Sequence, residues 1–281
     1  LREENGALAA TLVNGEERIA LEVLQATPGV LELSFPGLET TITARREKDR
    51  LQGDVVMIKR QAVQQAIPFV ASRGADSGFF PPGEAPPAGV SFAGRWAITF
   101  TDDDGATSIG VGEFRQEGDA IFGTILTPTA DHRFISGQVR GDRVFLRSFN
   151  GGHAFLYHAT LQGETFTGDY WSGMAWHERL DGRRDDSASL GDAENATTLR
   201  AGEDRLSFTF PDLEGRPVSI DDERFRGKVV VVTLGGSWCP NCHDEAQYLV
   251  ELDKKYRDRG LSIVALNFEE VEQQESLKRA R

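Results

Sequence analysis

The sequence predicts a multidomain protein in which two tandem antiparallel β units, meander- or barrel-like, are followed by a partial α/β domain. Three observations lead to this fold class. Short alternating strands separated by turn residues fill the first two thirds, that region repeats itself, and a valine-rich strand followed by an amphipathic helix appears near the C-terminal end. A chain of 281 residues is long enough for two or three such domains.

The first β unit is predicted at residues 1–74 because this region reads as a copy of a later one. Residues 1–13 align without a gap with residues 114–126, and residues 51–56 align with residues 166–171 at nearly the same offset. The first copy lacks counterparts of the opening strands of the second. We therefore expect a barrel-like repeat that is truncated at its N-terminal side.

The second β unit is predicted at residues 91–183. Alternating apolar runs at 121–126, 144–149, 154–161 and 166–171 are separated by Gly-Asp, Asn-Gly-Gly and Gln-Gly-Glu turns. Residues 96–178 hold about eight such strands, the number that closes a small up-and-down barrel. A proline-rich linker is predicted at 75–90, and a linker rich in Asp, Ser, Ala and Gly at 184–204.

The C-terminal segment, 205–281, carries the two cysteines of the chain in a Cys-x-x-Cys motif, Cys239 and Cys242. The apolar run at 229–234 predicts a strand buried on both faces, and apolar residues spaced by three and four at 246–256 predict a helix. Pro240 suits the first helical turn. Cys239 is therefore expected at the helix N-terminus, where free N–H groups stabilise a thiolate and lower the thiol pKa.

This placement predicts dithiol–disulfide redox chemistry. Cys239 would attack a substrate disulfide, and Cys242 would resolve the resulting mixed disulfide. Glu245 falls on the same helical face as Cys242, so it is either a proton shuttle for that thiol or a solvated helix glutamate.

Other interpretations of the motif stay open at this point. The letters Cys-Pro-Asn-Cys-His also match covalent haem attachment, with His243 as one axial ligand and a methionine or second histidine as the other, but the two methionines, Met57 and Met174, lie far upstream in β-rich sequence. A zinc site would need two further ligands, and the sequence offers no second Cys pair. A purely structural disulfide is a third alternative. The redox interpretation is favoured.

Residues 208–220 and 225–232, together with the motif Trp238-Cys239-Pro240-Asn241-Cys242 and Glu245, resemble the TlpA/ResA-like thiol-disulfide oxidoreductases. The resemblance covers about the last quarter of the chain. It implies a thioredoxin-like fold, with Cys239 as nucleophile, Cys242 as resolving thiol and Glu245 as the family's active-site glutamate. Trp238 matches the tryptophan packed beside the pair, and Pro240 and Asn241 lie between the cysteines, where they should influence the reduction potential.

The sequence departs from this family's pattern in two places. Gln247 stands where the family usually has a proline that kinks the helix. The chain ends at Arg281, soon after a strand predicted at 261–267, so we expect a C-terminally truncated thioredoxin-like domain without the cis-proline strand and the final helix.

The resemblance implies a disulfide reductase acting on extracytoplasmic client proteins, with a membrane or thioredoxin-like electron donor. A reductase of this kind needs no cofactor and no metal. The implied location is the bacterial periplasm or another extracytoplasmic compartment, with a signal or lipoprotein anchor missing from this sequence. The formal net charge of −13 argues against nucleic acid as a partner.

The alternative function is a β-barrel that binds a ligand or partner and carries an accessory redox domain. Four aromatic residues could line a cavity or fill the barrel core: Trp96, Tyr170, Trp171 and Trp176. Four histidines fall in the second β unit, at positions 132, 153, 158 and 177, but their spacing matches no metal-ligand motif. We expect them to be scattered surface residues.

Overall fold

The computed structural model describes residues 1–59, 62–74, 78–80, 90–191 and 198–269. It divides the chain into two compact units, Leu1–Gly191 and Asp192–Arg281. Most of the linker predicted at 75–90 lies outside the described residues, as do residues 192–197 of the linker predicted at 184–204 and the C-terminal residues 270–281. The two linkers and the domain boundaries drawn from them stay predictions.

The first β unit forms an open antiparallel sheet of seven strands joined in sequence order. The strands are β1 (Arg2–Glu4), β2 (Ala7–Asn14), β3 (Glu17–Ala26), β4 (Val30–Ser34), β5 (Thr41–Glu47), β6 (Arg50–Lys59) and β7 (Ala62–Ser72). Alternating residues of this sheet build a core around Leu33, Phe35 and Ala44. Within the described residues β1 and β7 are not joined, so the barrel-like prediction for residues 1–74 is confirmed only as a meander.

The second β unit is a closed barrel of eight antiparallel strands. They are β8 (Gly94–Asp102), β9 (Thr107–Glu117), β10 (Ala120–Leu126), β11 (Ile135–Arg140), β12 (Arg143–Phe149), β13 (Ala154–Gln162), β14 (Thr165–Ser172) and β15 (Trp176–Arg184). β15 pairs with β8 and closes the barrel. The eight strands predicted from the turn spacing are therefore confirmed.

The predicted repeat is visible in the strand order, since β1–β7 correspond to β9–β15. Gly53 and Gly168 occupy equivalent positions in β6 and β14. At each position a Cβ would collide with a carbonyl oxygen of the neighbouring strand, that of Thr43 and that of His158 respectively. No counterpart of β8 lies among the described residues, which leaves the first sheet open.

The barrel interior is filled by its own side chains. Trp96 is 0% exposed and its Nε1–H donates to the Phe92 carbonyl oxygen at 2.9 Å, while Tyr170 packs in the same core. Trp176, by contrast, is 51% exposed. The aromatic residues that could have lined one ligand cavity are thus divided between the core and the outer surface, and the ligand-binding alternative gains no support from them.

The open sheet packs against one end of the barrel. Arg133 forms an ion pair with Glu17 at 3.0 Å, and these side chains are only 11% and 7% exposed. The Asn14 side-chain amide donates to the carbonyl oxygen of Phe134 at 2.7 Å, and the Thr40 hydroxyl donates to that of Gly151 at 2.6 Å. Because these bonds are shielded from water, they tie the two β structures into one compact unit.

The C-terminal unit contains a small hairpin, β16 (Thr209–Pro211) and β17 (Pro217–Ser219), followed by one 3₁₀ turn (Glu223–Phe225) and a β–α–β segment. That segment consists of β18 (Val229–Gly235), α1 (Pro240–Tyr256) and β19 (Leu261–Asn267), and β18 and β19 pair in parallel. The strands predicted at 229–234 and 261–267 and the helix that starts at the cysteines are confirmed. The helix runs through Gln247 to Tyr256 without a break.

One expectation for this unit is wrong. The sequence predicts that the strand at 229–234 is buried on both faces, but Val229 and Leu234 are 70% and 75% exposed. Within the described part of the unit, β19 is the one strand that pairs with β18, which leaves much of its surface uncovered. No described helix is long and apolar enough to span a bilayer.

Candidate active site

The two cysteines form a disulfide at the start of α1. Cys239 is the N-cap residue in an extended conformation, Pro240 follows it, and the Cα atoms of Cys239 and Cys242 lie 5.2 Å apart. The Cys242 N–H donates to the Cys239 sulfur at 3.2 Å. Because unpaired N–H groups of a helix N-terminus stabilise negative charge, this sulfur is placed where a thiolate is favoured after reduction.

Two glycines, Gly235 at the end of β18 and Gly236 after it, let the backbone approach the disulfide closely. A Cβ at Gly235 would lie 3.2 Å from the Cys242 sulfur. A Cβ at Gly236 would collide with the Phe268 carbonyl oxygen and with the Trp238 indole nitrogen. Only glycine therefore fits at position 236 without displacement of its neighbours.

The loop that leads to Cys239 is bonded to the residues that follow β19. The Phe268 N–H donates to the Gly235 carbonyl oxygen at 2.6 Å, and the Trp238 Nε1–H donates to the Phe268 carbonyl oxygen at 2.8 Å. These bonds fix the indole of Trp238, the tryptophan predicted to lie beside the pair. Asn241 lies half-buried in the first turn of α1, between the two cysteines.

Ser237 forms hydrogen bonds through its N–H, its hydroxyl and its carbonyl oxygen. Its N–H and its hydroxyl each donate to the Glu269 carboxylate at 2.7 Å, and the Asn267 amide donates to the same carboxylate at 2.8 Å. The Ser237 carbonyl oxygen lies 2.7 Å from His243 Nε2, so this nitrogen carries the proton and donates. His243 is an exposed residue of the first helical turn.

Sequence reasoning missed Ser237, Asn267 and Glu269. Glu269 is 32 positions from Ser237, so no local pattern connects them. The signal that could have found the contact is the parallel pairing of the two predicted strands, which sets Gly235 opposite Asn267 and brings the residues after each strand to the same edge.

Glu245 is held by the preceding strand. Its carboxylate accepts a hydrogen bond of 2.8 Å from the Thr233 hydroxyl. Thr233, Cys242 and Glu245 line one groove of about 830 Å³. The structure brings the predicted glutamate to the same groove as the resolving cysteine, and its role as a proton shuttle stays a prediction.

The candidate axial methionines lie in the N-terminal unit. Met57 is buried in the core of the open sheet and its sulfur accepts from the Gln65 amide at 3.5 Å, whereas Met174 is exposed in a turn of the barrel. Neither belongs to the compact unit that holds His243.

The prediction that the barrel histidines are surface residues is wrong for His132. Its ring lies inside one end of the barrel, 2.5 Å from the Tyr157 hydroxyl and stacked on Tyr170. Burial, with a smaller contribution from the neighbouring His153, lowers the pKa of His132 to about 4. His132 is drawn inward because the loop between β10 and β11 folds over the barrel end, a tertiary contact with no local sequence signal.

Residues 200–280 match the Redoxin family model. The thiol-disulfide oxidoreductase ResA of Bacillus thuringiensis subsp. konkukian is 35% identical over 74 residues, which are 26% of this chain and 42% of that protein. The ResA of Halalkalibacterium halodurans is 37% identical over 73 residues, 26% of this chain and 40% of that protein. The chain thus spans about two fifths of the length of these curated relatives. The similarity of its C-terminal region to the TlpA/ResA-like oxidoreductases is confirmed.

Among solved structures, a redesigned β-barrel covers 33% of this chain and 90% of its own length, with 20% sequence identity and a TM-score of 0.29.

Proposed function

We propose that this chain is a thiol-disulfide oxidoreductase that uses Cys239 and Cys242 to reduce disulfides in client proteins. The observation that carries the proposal is the disulfide at the N-terminus of α1, in which the Cys239 sulfur accepts the Cys242 N–H. The similarity to Redoxin and ResA sequences supports the same chemistry.

The reaction begins with the reduced dithiol. The Cys239 thiolate attacks one sulfur of the client disulfide, a bond forms between Cys239 and that sulfur, and the other client sulfur leaves as a thiolate. Cys242 then loses its proton and attacks the Cys239 sulfur. The mixed disulfide breaks, the second client sulfur leaves, and the Cys239–Cys242 disulfide forms, so two electrons have passed to the client.

We assign Glu245 as the base that accepts the proton of the Cys242 thiol. A thiol must lose its proton before it can attack, and a carboxylate held in the same groove can accept that proton. The hydrogen bond from Thr233 keeps the carboxylate on this side of α1. Cys239 needs no such base, because the helix N-terminus itself favours its thiolate.

The clients we propose are extracytoplasmic proteins, and the electrons come from a membrane or thioredoxin-like donor dithiol that reduces the Cys239–Cys242 disulfide after each turnover. Both assignments, and the periplasmic location, rest on the resemblance of the C-terminal region to the ResA-like proteins. The net charge of −13 favours protein clients over nucleic acid.

Trapping of the mixed disulfide tests this proposal. The chain carrying Cys242→Ser, treated with oxidised glutathione, should retain one glutathione on Cys239, seen by intact mass and peptide mapping. The wild-type chain should release glutathione and form its internal disulfide, and Cys239→Ser should react at least tenfold more slowly. A Cys239→Ser variant that reduces oxidised glutathione as fast as the wild type would overturn the proposal.

A further inference from the structure

We propose that Glu269 is a positioning residue for the redox site: acting through Ser237, it fixes the loop that presents Cys239. This inference rests on the proposed function, because it concerns the reactivity of the same dithiol. It adds a group from the far end of β19 to a site that the motif alone would confine to the start of α1.

The geometry of Ser237 carries the argument. Both oxygens of the Glu269 carboxylate are used, one by the Ser237 N–H and one by the Ser237 hydroxyl, each at 2.7 Å. A two-point bond of this kind fixes orientation as well as distance, and hydrogen bonds to a carboxylate are stronger than those between neutral groups. His243 holds the Ser237 carbonyl oxygen from the other side at 2.7 Å.

The Glu269 carboxylate is itself held in place. The Asn267 amide donates to it at 2.8 Å, and the adjoining Phe268 is bonded to the redox loop through both its N–H and its carbonyl oxygen. The anchor therefore belongs to the end of the hydrogen-bonded parallel strand pair. Because the Glu269 carboxylate is held from the strand side and bonded to Ser237 on the other, it restricts how far the loop can move relative to that strand pair.

Ser237 lies two positions before Cys239, in a tight turn in which the Cys239 N–H donates to the Gly236 carbonyl oxygen at 3.1 Å. The turn sets the direction in which Cys239 enters the N-cap position. The helix N-terminus stabilises a thiolate only when the sulfur lies within reach of its N–H groups. A loosened turn would let the Cys239 sulfur leave that position, which would raise its thiol pKa and destabilise the reduced form.

The charge of Glu269 acts in the opposite direction. A carboxylate near a thiolate disfavours the thiolate and so raises the thiol pKa, which means that removing the charge alone would lower it. Geometry and charge therefore predict opposite signs for the same substitution. Ser237→Ala separates them, because it removes one hydrogen bond and leaves the carboxylate in place.

The experiment compares the full chain with four variants: Ser237→Ala, Glu269→Ala, Ser237→Thr and Glu251→Gln. Ser237→Thr keeps the hydroxyl, and Glu251→Gln removes a carboxylate on the exposed side of α1, where Glu251 pairs with Lys254. The readouts are the pKa of the Cys239 thiol from thiolate absorbance, measured in a Cys242→Ser background, and the equilibrium constant of the dithiol with glutathione. Circular dichroism checks that each variant is folded.

We expect Glu269→Ala to shift the Cys239 pKa and the redox equilibrium in the same direction as Ser237→Ala but less far, because the lost charge offsets part of the lost positioning. Ser237→Ala should raise the Cys239 pKa by about half a unit or more, and make the dithiol at least threefold easier to oxidise. That factor corresponds to about 14 mV toward a more negative potential, at about 30 mV for each tenfold change. Ser237→Thr and Glu251→Gln should stay within twofold of the wild type.

The inference is overturned if Ser237→Ala leaves both quantities within twofold of the wild type, or if Glu269→Ala lowers the thiol pKa. If Glu269→Ala fails to fold, the inference is tested by Ser237→Ala alone, because that variant removes only one hydroxyl. These results are distinct from a failure of the proposed function, in which the wild-type chain itself would show no dithiol in equilibrium with glutathione.

Discussion

Acidification should destabilise the barrel through His132, and the size of the effect follows from its burial. The ring is enclosed by Phe155, Tyr157 and Tyr170, with the Tyr157 hydroxyl 2.5 Å from Nδ1. Burial, with a smaller contribution from His153, lowers its pKa from 6.5 to about 4. The unfolded chain therefore binds this proton at a higher pH than the folded chain does.

The sign follows from that order of pKa values. Above pH 6.5 neither state carries the proton and His132 contributes no pH dependence. Between pH 6.5 and about 4 the unfolded state is increasingly favoured, at about 1.4 kcal/mol for each pH unit. The loss of unfolding free energy from this group is about 2 kcal/mol at pH 5 and about 3 kcal/mol when the folded pKa is reached.

Urea unfolding at pH 7.5 and pH 5.0 measures this loss, with tryptophan fluorescence as the signal, since three of the four tryptophans, Trp96, Trp171 and Trp176, lie in the barrel. His132→Gln, which keeps a polar partner for Tyr157 but cannot titrate, is the comparison. The wild type should lose about 2 kcal/mol more than the variant between the two pH values. Equal losses in the two proteins would refute the reasoning, since His132 would then not be buried in its neutral form.

Three further predictions concern single substitutions. Gly236→Ala should slow the reaction of the dithiol with oxidised glutathione at least tenfold, because its Cβ would collide with the Phe268 carbonyl oxygen; an unchanged rate constant would contradict the loop geometry. Thr233→Val should lengthen the lifetime of the mixed disulfide several-fold, because it releases the Glu245 carboxylate. Quenched-flow mass analysis measures this lifetime. If Cys242 resolves the mixed disulfide at the wild-type rate in Thr233→Val but slowly in Glu245→Gln, then Thr233 does not position the carboxylate. His177→Gln should change the pH dependence of unfolding in the sense opposite to His132→Gln. Hydrogen bonds with Asp169 and Asp103 raise the pKa of His177, so its contribution is present below pH 6.5 and is lost as the pH rises through the raised pKa; comparison of unfolding at pH 5.5 and pH 8 checks the sign.

The parts of the fold that the sequence predicts are those encoded within short stretches of chain. The eight barrel strands follow from turn residues at regular spacing, and the start of α1 follows from Pro240 and the apolar positions after it. The placement of Cys239 at the N-cap is local in the same sense. These features need no knowledge of distant contacts, and all of them are present in the structure.

The parts that the sequence does not predict depend on contacts between distant residues. Glu269 reaches Ser237 only because two parallel strands end at the same edge, and His132 is buried only because its loop folds over the barrel end. The exposure of Val229 is also not predicted. An apolar strand pattern shows that a strand can be buried, but it does not show whether another element covers it.

The measurement that tests the central claim most directly is a redox titration of the whole chain in glutathione buffers, read by the fraction of Cys239 and Cys242 accessible to alkylation, with an absorption spectrum of the same sample. We predict a single two-electron transition that Cys239→Ser abolishes, at a potential closer to roughly −270 mV, as in thioredoxin, than to roughly −120 mV, as in a strong oxidant. Cysteines that do not titrate, together with the Soret absorbance of an attached haem, would contradict the account.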